Sequence, residues 1–198
     1  MVFKNSKKIL EIKRQLFHLF FGILIVILYY FDHIGPSDVF FATIVGLLVF
    51  ALNKHRKIKM LDFFLNHFER PETTHEGIGI LNYLIGVFLT MVIFSFDKNI
   101  ALASLTILAV GDSISPIVGI WYGKTKHRFF NEKKYLEGIF FGIICATLLA
   151  WIFVPFIHSF IASSIAMIIE GLELKYRIDD NISIPLIAGL VLALMALV

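Results

Sequence analysis

Charge is scarce in this chain. Asp, Glu, Lys and Arg make up 17% of its 198 residues, well below the level of soluble domains, which excludes an ordinary water-soluble globular protein. Neither sign is in real excess, since 18 basic and 15 acidic residues leave a net charge of +3. That removes the strongly basic surface nucleic-acid binding needs, so no nucleic-acid partner is expected. The single cysteine, Cys145, excludes an internal disulfide. No small-residue cleavage site follows the first apolar run, which leads into Gly35-Pro36 between Asp32 and Asp38, so no cleaved signal peptide is expected. Internal repeats, low-complexity tracts and a stretch polar enough for a soluble domain are also missing.

What is present is apolar. Hydrophobic residues reach 58% and the mean hydropathy is +0.83. Read at roughly 17 to 25 residues per helical span, the apolar runs give about seven transmembrane helices. They cover residues 16–31, 39–52, 78–96, 100–122, 138–157, 157–169 and 182–198. The expectation is an all-α, polytopic integral membrane protein in which residues 1–198 form a single domain. It would lie in the cell membrane of a prokaryote or the endoplasmic reticulum of a eukaryote.

Basic residues orient it. Lys4, Lys7, Lys8, Lys13 and Arg14 precede the first span, while Lys54, Arg56, Lys57, Lys59 and Arg70 fall in the second loop. Lys124, Lys126, Arg128, Lys133 and Lys134 fall in the fourth, and Lys175 and Arg177 in the sixth. Seventeen of the 18 therefore occupy alternate loops, leaving only Lys98 opposite. Because Lys and Arg stay on the cytoplasmic side, this predicts a cytoplasmic N-terminus and a C-terminus outside. The outer connections are short, so a site is expected at the cytoplasmic face.

Some residues resist a purely structural explanation. Gly111-Asp112-Ser113 falls midway along the fourth span, with Pro116 following. A charge at that depth costs about 2.5 to 3.5 kcal/mol on insertion scales, so such an Asp faces a polar cavity or a partner. Gly and Pro beside it predict a broken helix near Asp112, with freed amides able to face an anion or metal. The structural alternative is an Asp that pairs with a basic residue or caps the break.

Beyond this span, Gly119, Gly123, Lys124, Lys133, Lys134 and Gly138 have the composition of a phosphate-binding region: glycines that let backbone approach, beside several cations. It is not a Walker A motif, because Val118 stands where the first glycine belongs and no strand precedes it. The alternative is a basic loop that sets topology and meets anionic lipid. Glu137 at the head of the fifth span is explicable by the helix dipole alone. Glu170, Glu173, Asp179, Asp180 and Asn181 form an acidic cluster of hard oxygen ligands suited to Mg²⁺, although Asp180 or Asn181 would also serve as a helix cap and Glu173 has i,i+4 spacing to Arg177. Arg14 and His18 share one helix face ahead of the first span, in reach of a head group or phosphate. Glu69-Arg70-Pro71 and His75-Glu76-Gly77 add a polar cluster on the same side.

In this order the pieces resemble the CTP-dependent lipid-alcohol kinases, the polytopic family that includes dolichol kinase, phytol kinase and the yeast-type CTP-dependent diacylglycerol kinase. The resemblance runs from Glu11, Arg14 and His18 through Glu69 to Gly77, is strongest from Gly111-Asp112-Ser113 to Glu137-Gly138, and ends at Asp180-Asn181 with Pro185. Gln15 departs from it, since relatives often carry Lys there.

The resemblance implies transfer of the CTP γ-phosphoryl group to a membrane lipid alcohol: a polyprenol or dolichol, phytol or geranylgeraniol, or diacylglycerol. It implies Asp112 as Mg²⁺ ligand or general base, and Asp180 and Asn181 completing the metal site. Lys124, Lys133 and Lys134 would hold phosphates, with Gly111, Ser113, Gly119, Gly123 and Gly138 around them. Arg14 would neutralise transition-state charge or help orient the acceptor, Glu137 would bind metal or fix the lysines, and His18 would meet the acceptor. Two other functions fit the same residues: a CTP-using cytidylyltransferase that makes a CDP-lipid, and a small ion-coupled transporter built around the intramembrane Asp.

Overall fold

A computed structural model describes residues 2–56, 58–59, 77–126, 134–172 and 178–197. The described residues form seven α-helices: α1 (Val2–Tyr30), α2 (Pro36–His55), α3 (Ile78–Ile93), α4 (Lys98–Tyr122), α5 (Leu136–Ala150), α6 (Phe156–Gly171) and α7 (Asp180–Met195). Each follows an apolar run, and several begin on a local cap. Asp97 accepts from the Asn99 amide at 2.9 Å to open α4. The Gly35 amide donates to Asp38 at 2.7 Å where α2 begins on Pro36, a residue suited to the first helical position. Gly77 enters α3 with φ of +83°, which only glycine adopts at little cost.

α4 is the axis of the bundle. It packs against α1, α3, α5, α6 and α7, whereas α2 leans on α3. Every residue from Ile100 to Gly111 is buried, as expected of a helix apolar on all sides. Ala101, Ala103, Ser104, Ala109 and Gly111 keep its surface small, so neighbouring backbones come close.

α1 runs antiparallel to α4. Lys98 at the start of α4 reaches the end of α1, 2.5 Å from Asp32 and 3.2 Å from the Tyr30 carbonyl. Further along, Gly22 packs on Ala109. The next step of the same register brings His18 level with Asp112.

Large apolar side chains point outward: Phe20 on α1, Phe41 on α2, Phe140 on α5 and Leu190 on α7 are all exposed. Such surfaces belong in lipid. Three helices are long and apolar enough to cross a membrane, over Lys8–Tyr30, Pro36–Asn53 and Lys98–Tyr122. α3, α5, α6 and α7 are apolar but shorter, at 15 or 16 residues, or about 24 Å.

The break expected near Asp112 does not occur: α4 is continuous from Lys98 to Tyr122. Gly111 is there for contact, since Met167 of α6 fills the space a Cβ would take. Pro116 is held inside the helix, where it withholds the amide that would have bonded the Asp112 carbonyl. Packing on several sides keeps the helix continuous through this loss, as membrane helices tolerate proline where neighbouring helices enclose it. Asp112 thus offers its side chain and a carbonyl relieved of its helical donor, not a helix end.

Candidate active site

Four helices contribute to one polar centre inside the bundle. Carboxylate oxygens of Asp112 (α4), Glu170 (α6) and Asp180 (α7) all lie within 4.8 Å of one another. Glu170 is only 4% exposed, so its charge is removed from water. Like charges at that separation repel by about 3.5 kcal/mol per pair or more at an effective dielectric near 20. Three of them together require cations.

One cation is in place. The Lys134 ammonium, just ahead of α5, contacts Glu170 directly and lies 3.7 Å from Asp180. On the far side, His18 Nε2 of α1 stands 3.7 Å from Asp112 Oδ2 and has no hydrogen-bond partner among the described residues. That distance exceeds a direct hydrogen bond, so the two atoms are neighbours that are not bonded to each other. Among the described residues, one ammonium faces the three carboxylates. A divalent ion with oxygen preference fits this donor set, because hard carboxylates are what Mg²⁺ selects.

The caps decide which carboxylates are available. Asp179, not Asp180 or Asn181, caps α7, accepting from the Asn181 amide at 3.1 Å and from Asn181 Nδ2 at 2.9 Å. Asp180 is thereby left to the cluster. Asn181 presents a buried Oδ1 with no partner among the described residues, and Pro185 withholds the amide its carbonyl would have received. That carbonyl lies against Gly86 of α3, which pins the head of α7.

Arg14 and Gln15 frame the cytoplasmic approach expected from the sequence. Glu11 accepts from Arg14 Nη2 at 2.5 Å and from Gln15 Nε2 at 2.9 Å. Gln15, the departure noted above, is buried at 3% exposure. Its neutral amide ties down Glu11 without adding a buried charge.

Other expected residues sit apart from the carboxylates. Lys124 is exposed beyond the end of α4, about 18 Å along the axis from Asp112. Glu137 accepts from the Thr125 amide, at 2.9 Å to Oε1 and 3.2 Å to Oε2, and that bonding with Thr125 holds its carboxyl below the ordinary value. It braces the segment that carries Lys124. Gly119 and Gly123 pack on Tyr135, and a Cβ on Gly138 would meet the Ser115 carbonyl. Close packing accounts for these glycines and for Gly111. Ser113 is fully buried, and its hydroxyl finds no partner among the described residues. Lys133, Glu173, Arg177 and the stretch from Glu69 to Glu76 lie outside the described residues.

Two neighbours carried no distinguishing signal in the sequence. Glu170 was one acid among several, and only the α6–α7 pairing singles it out. Tyr83 of α3 sets its ring edge-on to His18, centroids 4.8 Å apart, and is itself buried. Nothing in the apolar run around it marked it.

The chain is 31% identical to an uncharacterized protein of Methanocaldococcus jannaschii over 92% of both chains. It is 26% identical to phytol kinase 1, chloroplastic, of Arabidopsis thaliana, covering 89% of this chain and 64% of that one. With the CTP-dependent diacylglycerol kinase 1 of Eremothecium gossypii it shares 25% identity over 91% of this chain and 65% of the other. The chain thus spans just under two thirds of these two kinases. No protein-family model and no solved structure matches it.

Proposed function

This chain belongs to the CTP-dependent lipid kinase family, and from that premise we propose that it transfers the γ-phosphoryl group of CTP to the hydroxyl of a membrane lipid alcohol. One observation carries the reading within the chain: carboxylates of three helices meet beside Lys134 on one side and His18 on the other. Phosphoryl transfer is catalysed chiefly by positioning and charge neutralisation, and these are the groups it needs.

Asp112, Glu170 and Asp180, with Asn181 beside them, are the residues that would hold Mg²⁺. When bound, the ion supplies neutralisation of phosphate charge. The acceptor hydroxyl docks beside the pair formed by His18 Nε2 and Asp112 Oδ2. As its oxygen bonds to the γ-phosphorus, the proton passes to Asp112, the bond from the γ-phosphorus to the bridging oxygen breaks, and CDP leaves with that electron pair. Lys134, together with Lys133, holds the phosphates, and Lys124 meets the nucleotide farther out, on a segment braced by Glu137. Arg14 balances charge on the transferring group.

The protein crosses the membrane seven times, with residues 1–198 as one domain, the N-terminus and the site on the cytoplasmic side and the C-terminus outside. Seventeen of the 18 basic residues on alternate loops support that orientation. CTP arrives from the cytoplasm while the lipid alcohol enters sideways between helices. The acceptor is a polyprenol, phytol or geranylgeraniol, or diacylglycerol. The test is release of CDP from CTP by the purified protein in micelles. Release that depends on both added lipid alcohol and Mg²⁺, and is lost in Asp112→Asn, supports the reading; release of pyrophosphate refutes it.

A further inference from the structure

The position of Lys134 suggests more than a static phosphate clamp. Its ammonium occupies the gap between Glu170 and Asp180, the two carboxylates that, with Asp112, make up the metal-competent group. A cation placed there satisfies the same negative charge that a divalent ion would. Both cannot hold these oxygens together, because the ammonium and the ion repel and compete for the same lone pairs. Lys134 also lies just outside α5, on the connection that returns from Thr125, whose carbonyl accepts the Leu136 amide at 3.1 Å. The Lys134 charge sits on a flexible four-carbon stem.

We propose that Lys134 is an internal stand-in for the metal ion: in the nucleotide-free protein its ammonium fills the cation position between Glu170 and Asp180, and arrival of the metal with CTP drives it off these carboxylates and onto the phosphates. The inference rests on the kinase reading for its last step only. Exchange of one cation for another keeps a positive charge between Glu170 and Asp180 at every stage. It also makes metal alone a weak ligand and metal with nucleotide a strong one, since the phosphates give the displaced ammonium a new partner. Binding is then coupled without any movement of the helices.

The experiment compares wild type with Lys134→Met and Lys134→Arg, using Mn²⁺ as the probe and measuring free Mn²⁺ by electron paramagnetic resonance with no nucleotide present. Lys134→Met removes the competitor and is expected to bind Mn²⁺ at least about tenfold more tightly than wild type, while its affinity for CTP at saturating Mn²⁺ falls at least about tenfold. Lys134→Arg keeps the charge and stays near wild type for Mn²⁺. A lysine that merely braces the fold would weaken both ligands when removed, and weaker or unchanged Mn²⁺ binding in Lys134→Met overturns the proposal.

A second measurement needs no variant. Amine-reactive labelling of wild-type protein, read by mass spectrometry, should rise at Lys134 when Mn²⁺ is added and fall again when CTP follows, with the exposed Lys8 as the reference. Reactivity at Lys134 that ignores Mn²⁺ contradicts the exchange. Phosphate transfer by the same wild-type preparation reports separately on the kinase reading, so a failed exchange in an active enzyme removes this inference alone.

Discussion

His18 Nε2 stands 3.7 Å from Asp112 Oδ2, brought there by the antiparallel packing of α1 on α4. The register is set well away from the site, by Gly22 against Ala109 and by Lys98 against the end of α1. The edge of the Tyr83 ring keeps the imidazole from turning away. The two atoms stand too far apart to bond each other, and a hydroxyl docking beside them would give both a partner.

Replacing His18 with Ala is therefore expected to act on the lipid and not on the nucleotide. The KM for the lipid alcohol should rise by about tenfold or kcat fall by a similar factor, with the KM for CTP changed by less than about twofold. Steady-state kinetics with each substrate varied in turn checks this. An effect confined to CTP would place His18 on the other side of the reaction.

Glu170 gives a prediction about metal. Glu170→Gln keeps the shape of the side chain and removes one of three charges, so the Mg²⁺ concentration for half-maximal activity should rise by about 10- to 100-fold. Titration of activity against Mg²⁺ measures it. An unchanged midpoint would take Glu170 out of the metal site and leave it as a structural partner of Lys134.

Much of this architecture was legible in the chain. Hydropathy located all seven described helices, and Asp112 stood out because a charge in mid-span needs a reason. Asp180 and Asn181 were marked by their place at the head of the last helix. What escaped the sequence was the pairing between helices. Hydropathy gives each helix a length but says little about which face meets which neighbour, so Glu170 could not be told from the acids near it. The glycines misled in a physical way: Gly111, Gly119, Gly123 and Gly138 have the composition of a phosphate loop, yet neighbouring side chains and backbone fill the space above them. The break expected at Asp112 failed similarly, because Gly and Pro interrupt an isolated helix but not one enclosed by others. The cap on α7 fell one residue earlier than expected, and that shift is what frees Asp180.

Two glycines of α3 provide a matched test of the packing. A Cβ on Gly86 would run into the Asn181 carbonyl, whereas one on Gly79 meets nothing within 4 Å. Gly86→Ala should destabilise by about 1 to 3 kcal/mol and displace the head of α7. Gly79→Ala should be neutral or stabilising by up to about 1 kcal/mol, since Ala is the better helix former. Thermal unfolding in one detergent compares them. Equal melting temperatures would mean that α3 and α7 do not meet at Gly86.

Glu137 makes a prediction about pH, lying just ahead of the apolar run that begins at Gly138. Hydrogen bonding to Thr125 lowers its carboxyl from the ordinary value of 4.5. A group depressed in the folded state contributes stability above its unfolded value and loses it as pH falls through the lower folded one. Protection of the Thr125 amide from hydrogen exchange, relative to its intrinsic rate, should therefore persist down to about pH 4.5 and disappear below. In Glu137→Ala the protection should be reduced at neutral pH with no acid transition. The same transition in the variant would assign it to another group.

The central claim, that these carboxylates serve a CTP-dependent lipid kinase, is tested most directly by two parallel incubations of the purified protein with Mg²⁺ and a mixture of polyprenol, phytol, geranylgeraniol and diacylglycerol. One receives CTP labelled at the γ-phosphate, the other CTP labelled at the α-phosphate. Label entering a lipid from the γ position alone, and absent with Asp112→Asn, is the result predicted here. Label entering from the α position, or no labelled lipid from folded protein, would contradict it.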